Sequence, residues 1–160
     1  MIALRPLTPS DLPCIQSWPP YPAEFRELDY AIRNGGWLDE YRTKRCTDIL
    51  VADDGGEIAG FSLISREPGG MAEFRVALRP DRLGQGIGKA VARQTLAHAF
   101  SDPGIHAVRL IVRKNNPRAR RLYEALQFRM TGECIEEVHG VPVEFLAMEI
   151  DRGTFKRWKP

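Results

Sequence analysis

Val76-Ala77-Leu78-Arg79-Pro80-Asp81-Arg82-Leu83-Gly84-Gln85-Gly86-Ile87-Gly88-Lys89-Ala90 is the stretch that decides the fold. An apolar extended run ends at Arg79-Pro80-Asp81. Glycines then recur at alternate positions, and the sequence becomes alanine-rich to Phe100, with Ile87, Val91 and Leu96 as apolar anchors of a buried helix. Strand, glycine turn and helix in that order form a phosphate-binding arrangement. Glycine lets the backbone approach a ligand, and the first helical N–H groups have no partners and favour an anion. A tight turn with no ligand would leave the same trace. Two rival motifs fail by counting. A P-loop ending at Gly88-Lys89 would need glycine at Leu83 and Ser or Thr at Ala90. A dinucleotide fingerprint started at Gly84 or Gly86 would end on Lys89 or Val91.

Upstream, residues 72–78 read as a strand with Phe74, Val76 and Leu78 on one face and Glu73, Arg75 and Ala77 on the other. Residues 49–52 and 57–65 read as a hairpin across Asp53-Asp54-Gly55-Gly56. Residues 2–7 suggest a first strand, and Thr8-Pro9-Ser10-Asp11 a helix start. Residues 23–33 suggest a second helix stopped by Asn34-Gly35-Gly36. Downstream, residues 106–112 are β-branched and apolar. Asn116-Pro117 caps another helix, whose apolar side is Leu122, Tyr123, Leu126 and Phe128. Residues 129–138 and 141–150 form a last hairpin across His139-Gly140. No repeat, low-complexity tract or linker interrupts the chain, so residues 1–160 are expected to form a single domain. The expected class is mixed α/β around one sheet.

The 23 basic and 21 acidic residues balance too evenly to require a nucleic-acid or membrane partner. No apolar run is long enough to span a bilayer, and the first residues do not read as a signal peptide. Cys14, Cys46 and Cys134 lie too far apart for a zinc site, and His98, His106 and His139 share no ligand spacing, so no metal is expected. Mostly buried, reduced thiols in a cytoplasm are the expectation.

The glycine stretch resembles the strand, Pro-Asp/Glu turn and pyrophosphate loop of the GNAT superfamily of acetyl-CoA-dependent N-acetyltransferases. Leu83 stands where that family usually has Gln or Arg, with Arg82 beside it. A second block, Asn116-Pro117-Arg118-Ala119-Arg120-Arg121-Leu122-Tyr123-Glu124-Ala125-Leu126-Gln127-Phe128, is similar to the family's Asn-x-x-Ala-x-x-Leu-Tyr-Glu helix, with Gln127 in place of the usual glycine. The resemblance runs from Ile2 to Ile150 and is weakest between residues 18 and 47. It implies a GNAT-like fold: a central mixed, mostly antiparallel sheet of about six to seven strands with helices on both faces. It implies acetyl-CoA as cosubstrate. The pantetheine arm would lie on Val76, Ala77 and Leu78, and the pyrophosphate on the amides of Leu83, Gly84, Gln85, Gly86, Ile87, Gly88, Lys89 and Ala90. Asn116 would touch the arm, and one or two of Arg113, Lys114, Arg118, Arg120 and Arg121 the 3′-phosphate.

The resemblance also implies direct attack of an amine on the thioester, without an acyl-enzyme. An alkylamine arrives mostly protonated at neutral pH, so a base is needed, and the departing thiolate needs a proton. Tyr123 stands at the family's general-acid position. Glu73, on the strand before the loop, is the candidate base; a solvated glutamate or a partner for Arg75 fits the sequence equally well. The aromatic residues Trp18, Tyr21, Phe25, Tyr30, Trp37 and Tyr41 line an acceptor site or fill a core. The acceptor, a small-molecule or protein amine, stays open, as does a homodimer. An alternative is a catalytically silent GNAT-fold module that binds or senses CoA. A nucleic-acid binder has only the arginine-rich helix in its favour.

Overall fold

The computed structural model describes residues 1–158. Its elements are β1 (Ile2–Pro6), α1 (Asp11–Gln16), a 3-10 helix (Ala23–Ala31), α2 (Trp37–Arg42), β2 (Thr47–Asp54), β3 (Glu57–Arg66), β4 (Met71–Leu78), α3 (Ile87–Phe100), β5 (Ala107–Arg113), α4 (Pro117–Ala125), β6 (Arg129–Val138), β7 (Val141–Asp151) and α5 (Arg152–Arg157). Shorter 3-10 turns occupy Pro68–Gly70 and Pro80–Arg82. The seven strands form one mixed sheet in the order β1-β2-β3-β4-β5-β7-β6. β1 with β2, β2 with β3, β5 with β7 and β6 with β7 are antiparallel. β4 and β5 run parallel over three positions, Met71↔Ala107, Ala72↔Val108 and Glu73↔Arg109.

Contacts gather the chain into two units: Met1–Ser65 with Arg75–Thr95, and Arg66–Phe74 with the chain from Leu96 onward. In the first, alternation along the strands supplies two apolar faces. Val51, Phe61, Leu63 and Ala77 pack with Ile15 of α1 and with Trp37, Leu38 and Tyr41 of α2. The Phe61 ring lies 5.2 Å from Trp37 and 5.8 Å from Trp18. Ala52 and Ala59 pack with Ile87 and Val91 of α3, with Val76 and Leu78 against them. The alternation expected along β4 is present, and neighbours cover both of its faces.

The start of α1 is held by Asp11, whose carboxylate accepts from the Thr8 N–H at 2.8 Å and from both Arg5 terminal nitrogens at 2.9 Å. Those bonds, the Arg5 pair foremost, hold the Asp11 carboxyl far below the ordinary carboxylate range despite its burial.

Two readings of the segment before β2 need correction. Residues 23–31 form a 3-10 helix with a break at Phe25 rather than an α-helix. Of its residues Ala31 is buried, with Tyr30 and the following Ile32 packed against the same core. The sequence reading missed α2. Only six residues long, it carries too short an apolar pattern to register, yet it buries Trp37, Leu38 and Tyr41. Gly36 caps it because a Cβ there would lie 1.9 Å from the Tyr30 carbonyl oxygen.

In the second unit, β6 and β7 meet at His139-Gly140, both with positive φ, the geometry of a tight two-residue hairpin turn. α5 was also missed; Asp151 caps it by accepting from the Thr154 N–H at 2.7 Å. Arg152, its first residue, donates to the carbonyl oxygens of Phe100, Asp102 and Ile105 at 2.7, 2.6 and 2.5 Å. It thereby closes the turn after α3. The thiols are not buried as expected: Cys14 and Cys46 are exposed and Cys134 is half-buried. Cys14 faces away from the Ile15 side of a one-and-a-half-turn helix, Cys46 sits in the turn before β2, and Cys134 lies on the edge strand β6. No helix among the described residues is long and apolar enough to cross a membrane.

Candidate active site

The glycine loop belongs to the first unit. β4 ends at Leu78, the Pro80–Arg82 turn follows, and the chain bends through Gly84 and Gly86 into the 14 residues of α3. Gly84 and Gly86 adopt φ of +78° and +77°, the left-handed region that side chains disfavour. A Cβ built on Gly86 meets nothing within 4 Å, so the space above the helix start is open. The first helical bond, from Ala90 N–H to the Gly86 carbonyl, is long at 3.5 Å. The amides of Ile87, Gly88 and Lys89 precede it, at the positive end of the helix. Exposed Lys89 adds a cation in the first turn. Arg82 does not serve the loop; its guanidinium is held by Asp54 and lies 3.7 Å from Glu57. The loop is thus a backbone cradle with one nearby lysine.

Val76, Ala77 and Leu78 lead into this loop on β4, and the Leu78 carbonyl accepts a hydrogen bond from the Tyr21 hydroxyl at 2.6 Å. Tyr21 is therefore an anchor of the strand end, its phenol raised above the usual range chiefly by burial. Glu73 lies further back on β4, in the second unit. It is buried at 5% exposure, which removes the solvated reading. Its carboxylate faces Arg109 across the parallel ladder, 3.4 Å from a terminal nitrogen. Glu67 holds the same guanidinium in a two-pronged pair at 2.6 Å on each side. Arg109 went unnoticed in the sequence because parallel register is a tertiary property with no local signal.

α4 carries the remaining candidates, also in the second unit. Asn116 caps it, its side-chain oxygen accepting from the Ala119 N–H at 3.2 Å. Tyr123 is buried, with its ring edge-on to Phe74 at 6.1 Å and to Phe128 at 5.7 Å. Its hydroxyl has no hydrogen-bond partner among the described residues, and burial raises its pKa well above the ordinary phenol range. At physiological pH the group is a protonated donor. After the helix, Phe128 N–H reaches back to the Tyr123 carbonyl at 3.0 Å, and Gln127 sits at φ +75°. The usual glycine has been replaced while the glycine-like conformation is kept. Among the clustered cations, Arg120 is bound by Glu124 at 2.7 Å and Lys114 by Glu133 at 2.9 Å, and Arg113 lies over the Phe145 ring. Arg118 and Arg121 remain exposed at the helix surface.

The family model described as "Acetyltransferase (GNAT) family" matches residues 14–128. The chain belongs to the acetyltransferase (GNAT) family. A spermidine N(1)-acetyltransferase of Vibrio cholerae is 32% identical over 66 residues, 41% of this chain and 38% of that protein. A mycothiol acetyltransferase of Actinosynnema mirum is 33% identical over 98 residues, 56% of this chain and 33% of that protein. The matched stretches thus span about a third to two fifths of these relatives' length. The crystal structure of a spermidine N-acetyltransferase from Vibrio cholerae in complex with CoA and spermine superposes with a TM-score of 0.78. That likeness covers 98% of both chains at 20% identity and establishes the fold.

Proposed function

We propose that this protein transfers the acetyl group of acetyl-CoA to a primary amine. The observation that carries the reading is the open backbone cradle at residues 83–90, inside the stretch that matches the family. The amides at the start of α3 would receive the pyrophosphate, with Lys89 adding positive charge. Val76, Ala77 and Leu78 would offer backbone groups to the pantetheine arm, and Asn116 its side-chain amide. Of the cations proposed for the 3′-phosphate, exposed Arg121 suits the task better than Lys114 and Arg120, which already hold carboxylates.

In the reaction the acceptor ammonium first yields a proton, with Glu73 as the accepting carboxylate. The amine lone pair forms the C–N bond at the thioester carbonyl, and an N–H donor would stabilise the oxyanion. Collapse breaks the C–S bond, and Tyr123 donates a proton to the leaving thiolate. The second nitrogen proton returns the phenolate to phenol through solvent. Two exposed, unpaired thiols suit a reducing compartment such as a cytoplasm.

Isothermal titration with acetyl-CoA, followed by thiol release over a panel of amines, tests the reading. Binding with amine-dependent release supports transfer. Binding without release on any amine would leave only the sensing alternative.

A further inference from the structure

We infer that two copies of this protein pair through the outer edge of β6, antiparallel about a twofold axis at Glu133. The inference is independent of the transfer reading. β6 is the last strand of the sheet and pairs only with β7. All of its ten residues except Cys134 and Val138 are exposed, so one row of backbone N–H and C=O groups faces outward without a ladder partner. Proline or lysine commonly blunts such an edge, and residues 129–138 contain neither. The opposite edge of the sheet differs. β1 has five residues, ends in Pro6, and has its Ile2 carbonyl taken by the Gln94 side chain at 3.0 Å. Of the large apolar side chains exposed among the described residues, all but Met1 lie on the β6–β7 hairpin: Met130 at 47%, Ile135 at 66% and Val141 at 59%.

A bulge at Thr131 decides which side chains share a face. Met130 stands opposite Met148 and Gly132 opposite Ala147, so Thr131 is one residue extra. Beyond it, Ile135 stands opposite Glu144 and Glu136 opposite Val143. Met148 and Glu144 point to one side of β7, which puts Met130 and Ile135 on one face of β6. Arg129, opposite Glu149, shares the other face with Glu136. Without the bulge both pairs would be split across the strand. An antiparallel copy centred on Glu133 brings each Met130 to the partner's Ile135 and each Arg129 to the partner's Glu136, and symmetry makes every contact twice. Gly132, where a Cβ would meet nothing within 4 Å, faces the partner's Cys134. The two glutamates on the axis arrive already paired, because Lys114 holds Glu133 at 2.9 Å. An unrelated extended peptide would find the same backbone groups but not this match of apolar and charged side chains, so a second copy is the occupant.

Sedimentation velocity over a concentration series tests the pairing. It should show monomer and dimer in equilibrium, with a dissociation constant on the order of micromolar, as befits a small interface. Arg129→Glu and Glu136→Arg each set like charges opposite one another at both symmetric contacts, so either alone should raise that constant roughly tenfold. In a mixture of the two variants both contacts are again opposite in sign, and the heterodimer should form with close to parental affinity. Ile135→Lys should weaken pairing to a similar degree; its side chain is already exposed, and it carries the test if either charge reversal loses its fold, which circular dichroism on dilute samples reports. A protein still monomeric at roughly 100 µM overturns the inference and leaves the edge to a peptide partner. A dimer indifferent to all three substitutions overturns it as well, since the contact then lies elsewhere. So does a mixture of the two folded reversals that associates no better than either alone, because the register would be wrong.

Discussion

Replacing Tyr123 by phenylalanine removes one oxygen from a ring whose packing is otherwise complete. The edge-on contacts with Phe74 at 6.1 Å and Phe128 at 5.7 Å involve ring carbons and persist in the variant. The lost hydroxyl has no hydrogen-bond partner among the described residues, so its removal strands no donor or acceptor. Stability should change by no more than about 1 kcal/mol, in either direction. Turnover should fall by roughly 10²- to 10⁴-fold, the usual contribution of a general acid. The acetyl-CoA dissociation constant should stay within about threefold, since the phenol acts only when the C–S bond breaks. Alkaline behaviour gives a further readout. Burial raises the folded-state pKa of Tyr123, so the unfolded chain ionises first. The protein should lose stability as pH climbs above the ordinary phenol value of about 10, and Tyr123→Phe should lose less. Tyr21, also raised, supplies the remaining loss. Thiol release, titration calorimetry and thermal melts at several pH values measure all three quantities. A folded Tyr123→Phe protein with parental turnover would show that the tyrosine fills space and that water protonates the thiolate.

Glu73→Gln should depress turnover most at neutral pH and recover toward high pH, where the amine deprotonates itself; Arg109 keeps Glu67, so the fold survives, and an unchanged pH–rate profile removes Glu73 from the mechanism. Gly86→Val puts a branched side chain at φ +77° and into the open space above the loop, so acetyl-CoA affinity measured by calorimetry should drop by more than about tenfold and stability by roughly 1–2 kcal/mol; undiminished binding would place the cofactor elsewhere. Gln127→Gly should stabilise the protein by about 0.5–1 kcal/mol in denaturant unfolding, because relief at φ +75° exceeds the extra freedom of the unfolded chain; a loss of stability would mean that the glutamine side chain holds the turn. Asp11, whose carboxyl is held low by Arg5, contributes stability that is present above about pH 4 and lost as pH falls below it; Asp11→Asn should flatten that acid limb in pH-dependent melts, and an unaltered limb would assign it to other carboxylates.

Local chemistry made much of this fold readable. Asn116-Pro117 announced its helix because cap and fixed φ act within four residues, and His139-Gly140 marked a hairpin whose strands the structure bounds at Val138 and Val141. The glycine loop was legible for the same reason. What escaped depends on distant partners. α2 exists because Trp37 and Tyr41 find Phe61, Ala77 and Arg75, none of them near in sequence. Glu73 could be named from its strand, but its burial and its pairing with Arg109 follow from the β4–β5 register. Arg75 entered the sequence reading only as a possible partner for Glu73; its packing on the rings of Trp37 and Tyr41 depends on residues more than thirty positions away.

The clamp made by Arg152 has a consequence for synthesis. Its three acceptors lie at residues 100–105, some fifty positions earlier, so while the chain is still being made the turn after α3 is held only by its own local bonds and by Arg66 on Asp102 and Gly70 on His106. The first unit draws only on Met1–Ser65 and Arg75–Thr95, all of which has been made once Thr95 clears the ribosome. The second unit must wait for Arg152. A nascent chain halted near residue 140 should therefore resist protease in its first unit and be cut after α3, and release of the last residues should close that site.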